Sequence, residues 1–239
     1  MNKLTKIVAA GLVASLSFAS VGNSIEIRGG ISGVTSAYYG NVTETLKDSG
    51  KKSSEEAIAA FSYMSVFGEV AFDEAYGLTL GVEFTPDAIG LENADREIKG
   101  LAGSNEVRGN DNDADIDNHG DIQDIKADVK DLTNIYIGIP LMSTGVAIKV
   151  GYTMATLATK ETLATGSSYK DMDLEGMSLG AYFDGEITDN LFYRLEGSYQ
   201  QFDDIKAAGS QVGGTAGSFN SMAAELGGVA AKASLGFKF

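Results

Sequence analysis

A chain of 239 residues with no cysteine, one histidine and a formal charge of −15 excludes several classes of protein. Without thiols there are no disulfides and no thiolate metal sites, and so acidic a balance lacks the basic surface that nucleic-acid phosphates require. Mean hydropathy is −0.02, and beyond the first two dozen residues no apolar run approaches the roughly 20 residues of a membrane helix.

In chain order, Met1 to Lys6 is short and basic, and Ile7 to Ala19 is apolar with small residues throughout. That run is too short to span a bilayer and has the form of a secretory signal peptide over residues 1–22. Cleavage is expected between 19 and 24, after Ser17-Phe18-Ala19 or Ser20-Val21-Gly22. The chain is therefore expected to be exported by the general secretory route. No cofactor is expected.

From residue 25 to 239 the sequence alternates apolar and polar residues over strand-like lengths. The strands expected are Ile25 to Asn41, Ala60 to Phe72, Leu78 to Thr85, Leu132 to Pro140, Val146 to Thr156, Asp173 to Asp184, Leu191 to Phe202, and the closing stretch from Val229. Long polar connections at about 42–59, 86–131, 157–172 and 203–220 alternate with short turns at 73–77, 141–145 and 185–190. Long and short in strict alternation puts all short turns at one end, beside both termini. This is the pattern of an all-β, eight-stranded antiparallel up-and-down transmembrane β-barrel, whose turns are short on one side and long on the other.

Facing follows from the period of two. One set of positions is apolar, such as Leu78/Leu80/Val82/Phe84 and Ile135/Ile137/Ile139. The opposite set carries Glu26, Arg28, Glu69, Glu83, Lys149, Arg194, Glu196 and Lys232, four acids against four bases. A charge facing lipid at mid-depth would cost about 2–4 kcal/mol, so these belong in the lumen. Their distances from the short turns suggest that Glu69, Lys149 and Arg194 lie near the turn end, with Glu83, Glu196 and Lys232 higher. Eight strands leave room only for side chains, so a packed salt-bridge network is expected. Tyr38, Tyr39, Tyr63, Phe72, Phe84, Tyr182, Phe183, Phe192, Tyr193 and Phe239 are expected to form the interfacial girdles in this tryptophan-free chain.

The longest connection holds an acidic tract, Asn110 to Asp121, in which Asp113, Asp115, Asp117 and Asp121 alternate as weak calcium candidates. The twelfth position counted from Asp115 is Lys126, where a calcium loop needs glutamate, so a solvated loop is the expected state. The lone histidine, His119, sits in this tract without a nucleophile motif, and no catalytic residue is assigned. Ile122, Ile125, Val129 and Leu132 then recur at helical spacing behind a capping Asp121, which predicts a short amphipathic helix at the rim.

The chain closes on Val229 to Phe239, with Leu235, Phe237 and Phe239 on one face and Lys232, Ser234 and Lys238 on the other. This ending resembles the assembly signal of bacterial outer-membrane barrels. With the loop alternation and the charged lumen, the mature chain resembles the small eight-stranded outer-membrane group: the membrane domain of outer-membrane protein A, outer-membrane protein X and the opacity-protein relatives. The resemblance implies a Gram-negative outer-membrane location and contact with outer-membrane lipid and lipopolysaccharide. It also implies recognition by the barrel-assembly machinery and a non-enzymatic structural or surface-interacting role. No peptidoglycan-binding domain is expected after the last strand. The alternatives it leaves open are a narrow porin for small solutes or ions and an adhesin acting on a surface ligand through its acidic outer loops.

Overall fold

Period-two alternation becomes a closed sheet in the computed structural model, which describes residues 25–45, 52–72, 77–90, 125–141, 144–161, 167–168, 170–211 and 221–239. Eight long strands form the wall: β1 (Ile25–Thr45), β2 (Lys52–Phe72), β3 (Leu78–Phe84), β4 (Ile125–Pro140), β5 (Val146–Glu161), β6 (Met172–Glu186), β7 (Leu191–Phe202) and β8 (Ser221–Lys238). Each pairs antiparallel with its chain neighbours. The sheet closes where β1 meets β8, in register from Arg28 opposite Lys238 to Thr45 opposite Ser221. The tight turns at the end beside the termini place Gly77 and Gly145 at φ of 81° and 76°, a region only glycine enters without strain.

The wall is inside-out relative to a protein that folds in water. Large apolar side chains lie outside, with Ile137 43% and Leu235 52% exposed, while Glu69 and Arg194 are 1% and 2% exposed inside. Water would reverse that arrangement; a hydrocarbon surround stabilises it, and closure pairs the first wall strand with the last. A tilted strand crosses a bilayer in about 9–11 residues. With 21 residues each, β1 and β2 continue well beyond it.

Several sequence expectations change here. Residues 42–45 and 52–59, read as loop, are strand, because polar residues pair as readily as apolar ones once the hairpin has left the membrane. The rim helix does not form over its described part: Ile125 onward is β4, paired with β5 from Glu161 inward. The three-residue step from Val129 to Leu132 spans a bulge, where Asp131 and Leu132 together face Ala155 and Asp131 takes a φ of 54°. The extra residue shifts the parity of β4, so Val129 and Leu132 both pack into the interior apolar cluster. The signal peptide, the calcium candidates Asp113, Asp115, Asp117 and Asp121, His119 and Ile122 lie outside the described residues.

β3 is the shortest wall strand. Beyond Phe84 the chain stays beside β4, with the Thr85 amide donating to the Leu132 carbonyl at 2.9 Å and Ile89–Gly90 pairing with Val129 and Asp128. Pairing between β2 and β3 stops at Val66. A further strand, Ile205–Ala208, folds back on β8 opposite Ala224 to Ser221.

Candidate functional site in the barrel lumen

Inward positions of successive strands meet in layers, and the lowest, nearest the turns, is built on Arg194. Its guanidinium donates to both carboxylate oxygens of Glu69, at 2.8 and 2.7 Å, and to both oxygens of Asp184, at 2.6 and 2.8 Å. The planar fork of arginine suits two carboxylates at once. Tyr136 donates to Glu69 at 2.6 Å, and Arg28 reaches Asp184 at 3.3 Å while also pairing with Glu26 on its own strand. Glu26 and Arg28 are at the rim, with side chains 30% and 19% exposed. Phe67 and Phe192 meet edge to face at 6.3 Å, and the Tyr182 ring lies 3.9 Å from the Arg194 guanidinium carbon.

The second layer alternates charge around a ring. Lys232 donates to Glu83 at 2.5 Å and lies 3.1 Å from Glu196; Lys149 donates to Glu196 at 2.8 Å and to Glu83 at 3.2 Å. Ser65 donates to the other Glu83 oxygen at 2.7 Å. Lys149 was expected lower. The stagger of a closed barrel means that equal distance from a turn is not equal height, and the long lysine stem carries the ammonium upward, over the Tyr136 ring at 3.9 Å.

Above the ions come neutral polar groups. Tyr38 donates to Gln200, and Asn134 donates to Ser178 at 2.8 Å. Higher still the interior is apolar: Ile89, Leu132, Ala155, Leu174, Phe202, Ile205 and Ala224 pack together, joined by Tyr38, Phe61 and Leu226. Tyr38 stacks on Phe61 at 5.4 Å.

The eight charges singled out in the sequence thus form two groups: Glu26, Arg28, Glu69 and Arg194 below, Glu83, Lys149, Glu196 and Lys232 above. Sequence reasoning missed Asp184, which lies opposite Arg194 in the register of β6 and β7. It also placed several aromatic residues on the wrong side. Tyr38, Tyr63, Tyr182 and Phe192 share the parity of the lumen charges and point inward, whereas Tyr39, Phe183 and Phe239 are outside. The rings fit because glycines face them: a Cβ at Gly138 would collide with the Tyr182 hydroxyl, and one at Gly81 with the Tyr136 ring. An inward glycine beside an inward aromatic was the available signal.

Outside, hydroxyl-bearing aromatics mark the upper edge of the apolar band. Tyr39 and Tyr199 both donate to Gln201, at 2.9 and 2.6 Å, and Tyr152 donates to Glu175 at 2.6 Å. Amphipathic rings at this level are what a lipid headgroup boundary selects. At the lower edge Lys238 pairs with Glu186 at 2.6 Å, and Leu235, Phe237 and Phe239 are all exposed on the outer face.

An apolar outer band, a charged interior and sorted connections define an eight-stranded transmembrane β-barrel of the bacterial outer membrane. Among solved structures the fold is similar to the outer membrane protein OprG from Pseudomonas aeruginosa, with a TM-score of 0.50 and 14% identity, covering 90% of this chain and 95% of that one. Other similar structures are the outer membrane protease OmpT from Escherichia coli (TM-score 0.47, 8% identity, 92% and 98% covered) and Ail, the attachment invasion locus protein of Yersinia pestis (0.37, 11%, 88% and 99%). Neither a protein-family model nor a curated protein matches the chain.

Proposed function

We propose that this protein is a non-conducting, non-enzymatic envelope barrel that acts as a structural or surface-interacting element. The observation that carries this reading is the layered interior: a bidentate arginine network, a ring of two lysines and two glutamates, then an apolar cluster. An ion crossing such a path must displace buried pairs and then enter a hydrocarbon-like region, both of which are unfavourable. The lumen acids and bases engage one another, an arrangement suited to holding the wall together rather than to acting on a substrate. The apolar band contacts outer-membrane lipid and lipopolysaccharide, and Leu235, Phe237 and Phe239 face outward where the barrel-assembly machinery reads a closing strand. The extended β1–β2 hairpin supplies surface for partners outside the cell.

Single-channel recording of the purified protein in planar bilayers tests this. The expected record is silent at potassium chloride concentrations where open barrels conduct. Large, stable openings would favour the narrow porin and defeat the closed lumen.

A further inference from the structure

Along its outer half, β2 has a free edge. Its pairing with β1 runs without a break from Phe72 to Lys52, but its pairing with β3 stops at Val66 opposite Phe84. Pro86 follows, with no amide to continue a ladder, and Ile89–Gly90 pair with Val129 and Asp128 of β4 instead. From Ser65 up to Lys52, no strand among the described residues is paired with the second side of β2. Native sheets blunt such edges with lysine, proline or bulges. The stretch Ile58-Ala59-Ala60-Phe61-Ser62-Tyr63-Met64 has none of these. Ile58 and Met64 are 73% and 56% exposed on its outer face, while Phe61 stacks on Tyr38 on the other. The edge also lies where solvent reaches it: Ile58 is opposite Tyr39, in the hydroxyl-bearing ring, and Asp87, just past the end of β3, is exposed.

We propose that this edge of β2 is a docking site for an extended segment of a foreign polypeptide, added antiparallel as the outward continuation of β3. The proposal rests on the surface-interacting reading above and names its surface. Backbone hydrogen bonds supply the affinity, as in other cases of strand addition. Alternate side chains of the incoming strand face Phe61 and Tyr63 on the lumen side and Ile58 and Met64 on the outer side, so that strand is apolar and uncharged along this stretch. Charge sets its end. Running outward, its C-terminal part passes Glu56, an exposed acid in a chain of charge −15, which favours a lysine or arginine there. A second copy does not fit, because the β2 strands of two barrels in one membrane descend in the same direction and cannot pair antiparallel.

Hydrogen exchange and peptide binding, both on the full barrel in lipid nanodiscs, test the proposal. In the free protein, amides of residues 58–64 that point away from β1 should exchange fast. A fluorescent peptide alternating valine and threonine and ending in lysine should bind and slow them. The same peptide with proline at every second position should not bind, and one ending in glutamate should bind about fivefold more weakly. Glu56→Gln should erase most of that fivefold difference. Edge amides already protected in the free barrel would mean that the chain itself or a second copy fills the edge, and would overturn the proposal. So would equal binding of the proline or the glutamate peptide, or no binding at all. Conductance in planar bilayers is a separate result: a conducting barrel that binds the lysine peptide keeps the docking site, and a silent one that binds no peptide loses it alone.

Discussion

Arg194 shows how much one side chain organises here. It spans two carboxylates, lies against aromatic rings, and is 2% exposed, so removing it leaves Glu69, itself 1% exposed, with the Tyr136 hydroxyl at 2.6 Å and the more distant cation of Arg28 at 3.7 Å. Breaking one partner from a buried pair costs about 3–5 kcal/mol, whereas replacing both partners with neutral groups costs far less. Arg194→Met should therefore destabilise the barrel by that order in urea unfolding from lipid vesicles. The double variant Glu69→Gln with Arg194→Met should recover much of the loss. Equal stability of Arg194→Met and the double variant would show that Glu69 costs nothing as a carboxylate left without Arg194. At this scale most charged members of the lumen were legible, since parity and lipid exclusion leave a strand charge nowhere else to go. Asp184 was not, because it sits at a strand end, where a turn residue and a lumen residue look alike in sequence.

At the scale of elements, the strands themselves were readable and their lengths were not. Apolar alternation marks only the part of a strand that meets lipid. Past Asn41 and before Ala60 the side chains turn polar, yet pairing continues from Val42 opposite Glu55 to Thr45 opposite Lys52. Backbone hydrogen bonds do not require an apolar face. The outer part of this hairpin is then dispensable for membrane insertion. Deleting residues 43–54 and joining the strands through Asn-Gly, which suits a two-residue hairpin turn, should give a barrel that still folds and keeps its heat-modifiable migration on gels. Loss of folding would mean that the outer hairpin helps to nucleate the wall. The bulge at Asp131 teaches the same lesson from the other side: one inserted residue puts Val129 and Leu132, three apart as on a helix, on the same side of a strand.

For the whole molecule, the apolar band, the hydroxyl-bearing ring above it and the short turns below set an orientation. Because the chain has no cysteine, single substitutions report it cleanly. Asp48→Cys, in the connection between β1 and β2, should react with a membrane-impermeant maleimide on intact cells. Asp189→Cys, in the short turn between β6 and β7, should react only after the outer membrane is permeabilised. The opposite pattern would invert the barrel. The same asymmetry separates the interior, with ions toward the turn end and an apolar cluster toward the outer end, so the lumen changes character along its axis.

The alternation in each strand determined by itself that this chain forms a barrel and which strand charges face in, because a period of two and a lipid surround leave a charge at mid-depth only one consistent side. Partners were another matter. Lys149 joins Glu196 and Glu83, and Arg194 joins Glu69 and Asp184, because barrel closure staggers the strands and sets each residue's height by its tilt around the whole circumference. The inward turn of Tyr182 likewise needed Gly138 brought opposite it on a strand far off in sequence. Parity is a local property of the chain, whereas height and contact belong to the closed sheet, and only closure could decide them.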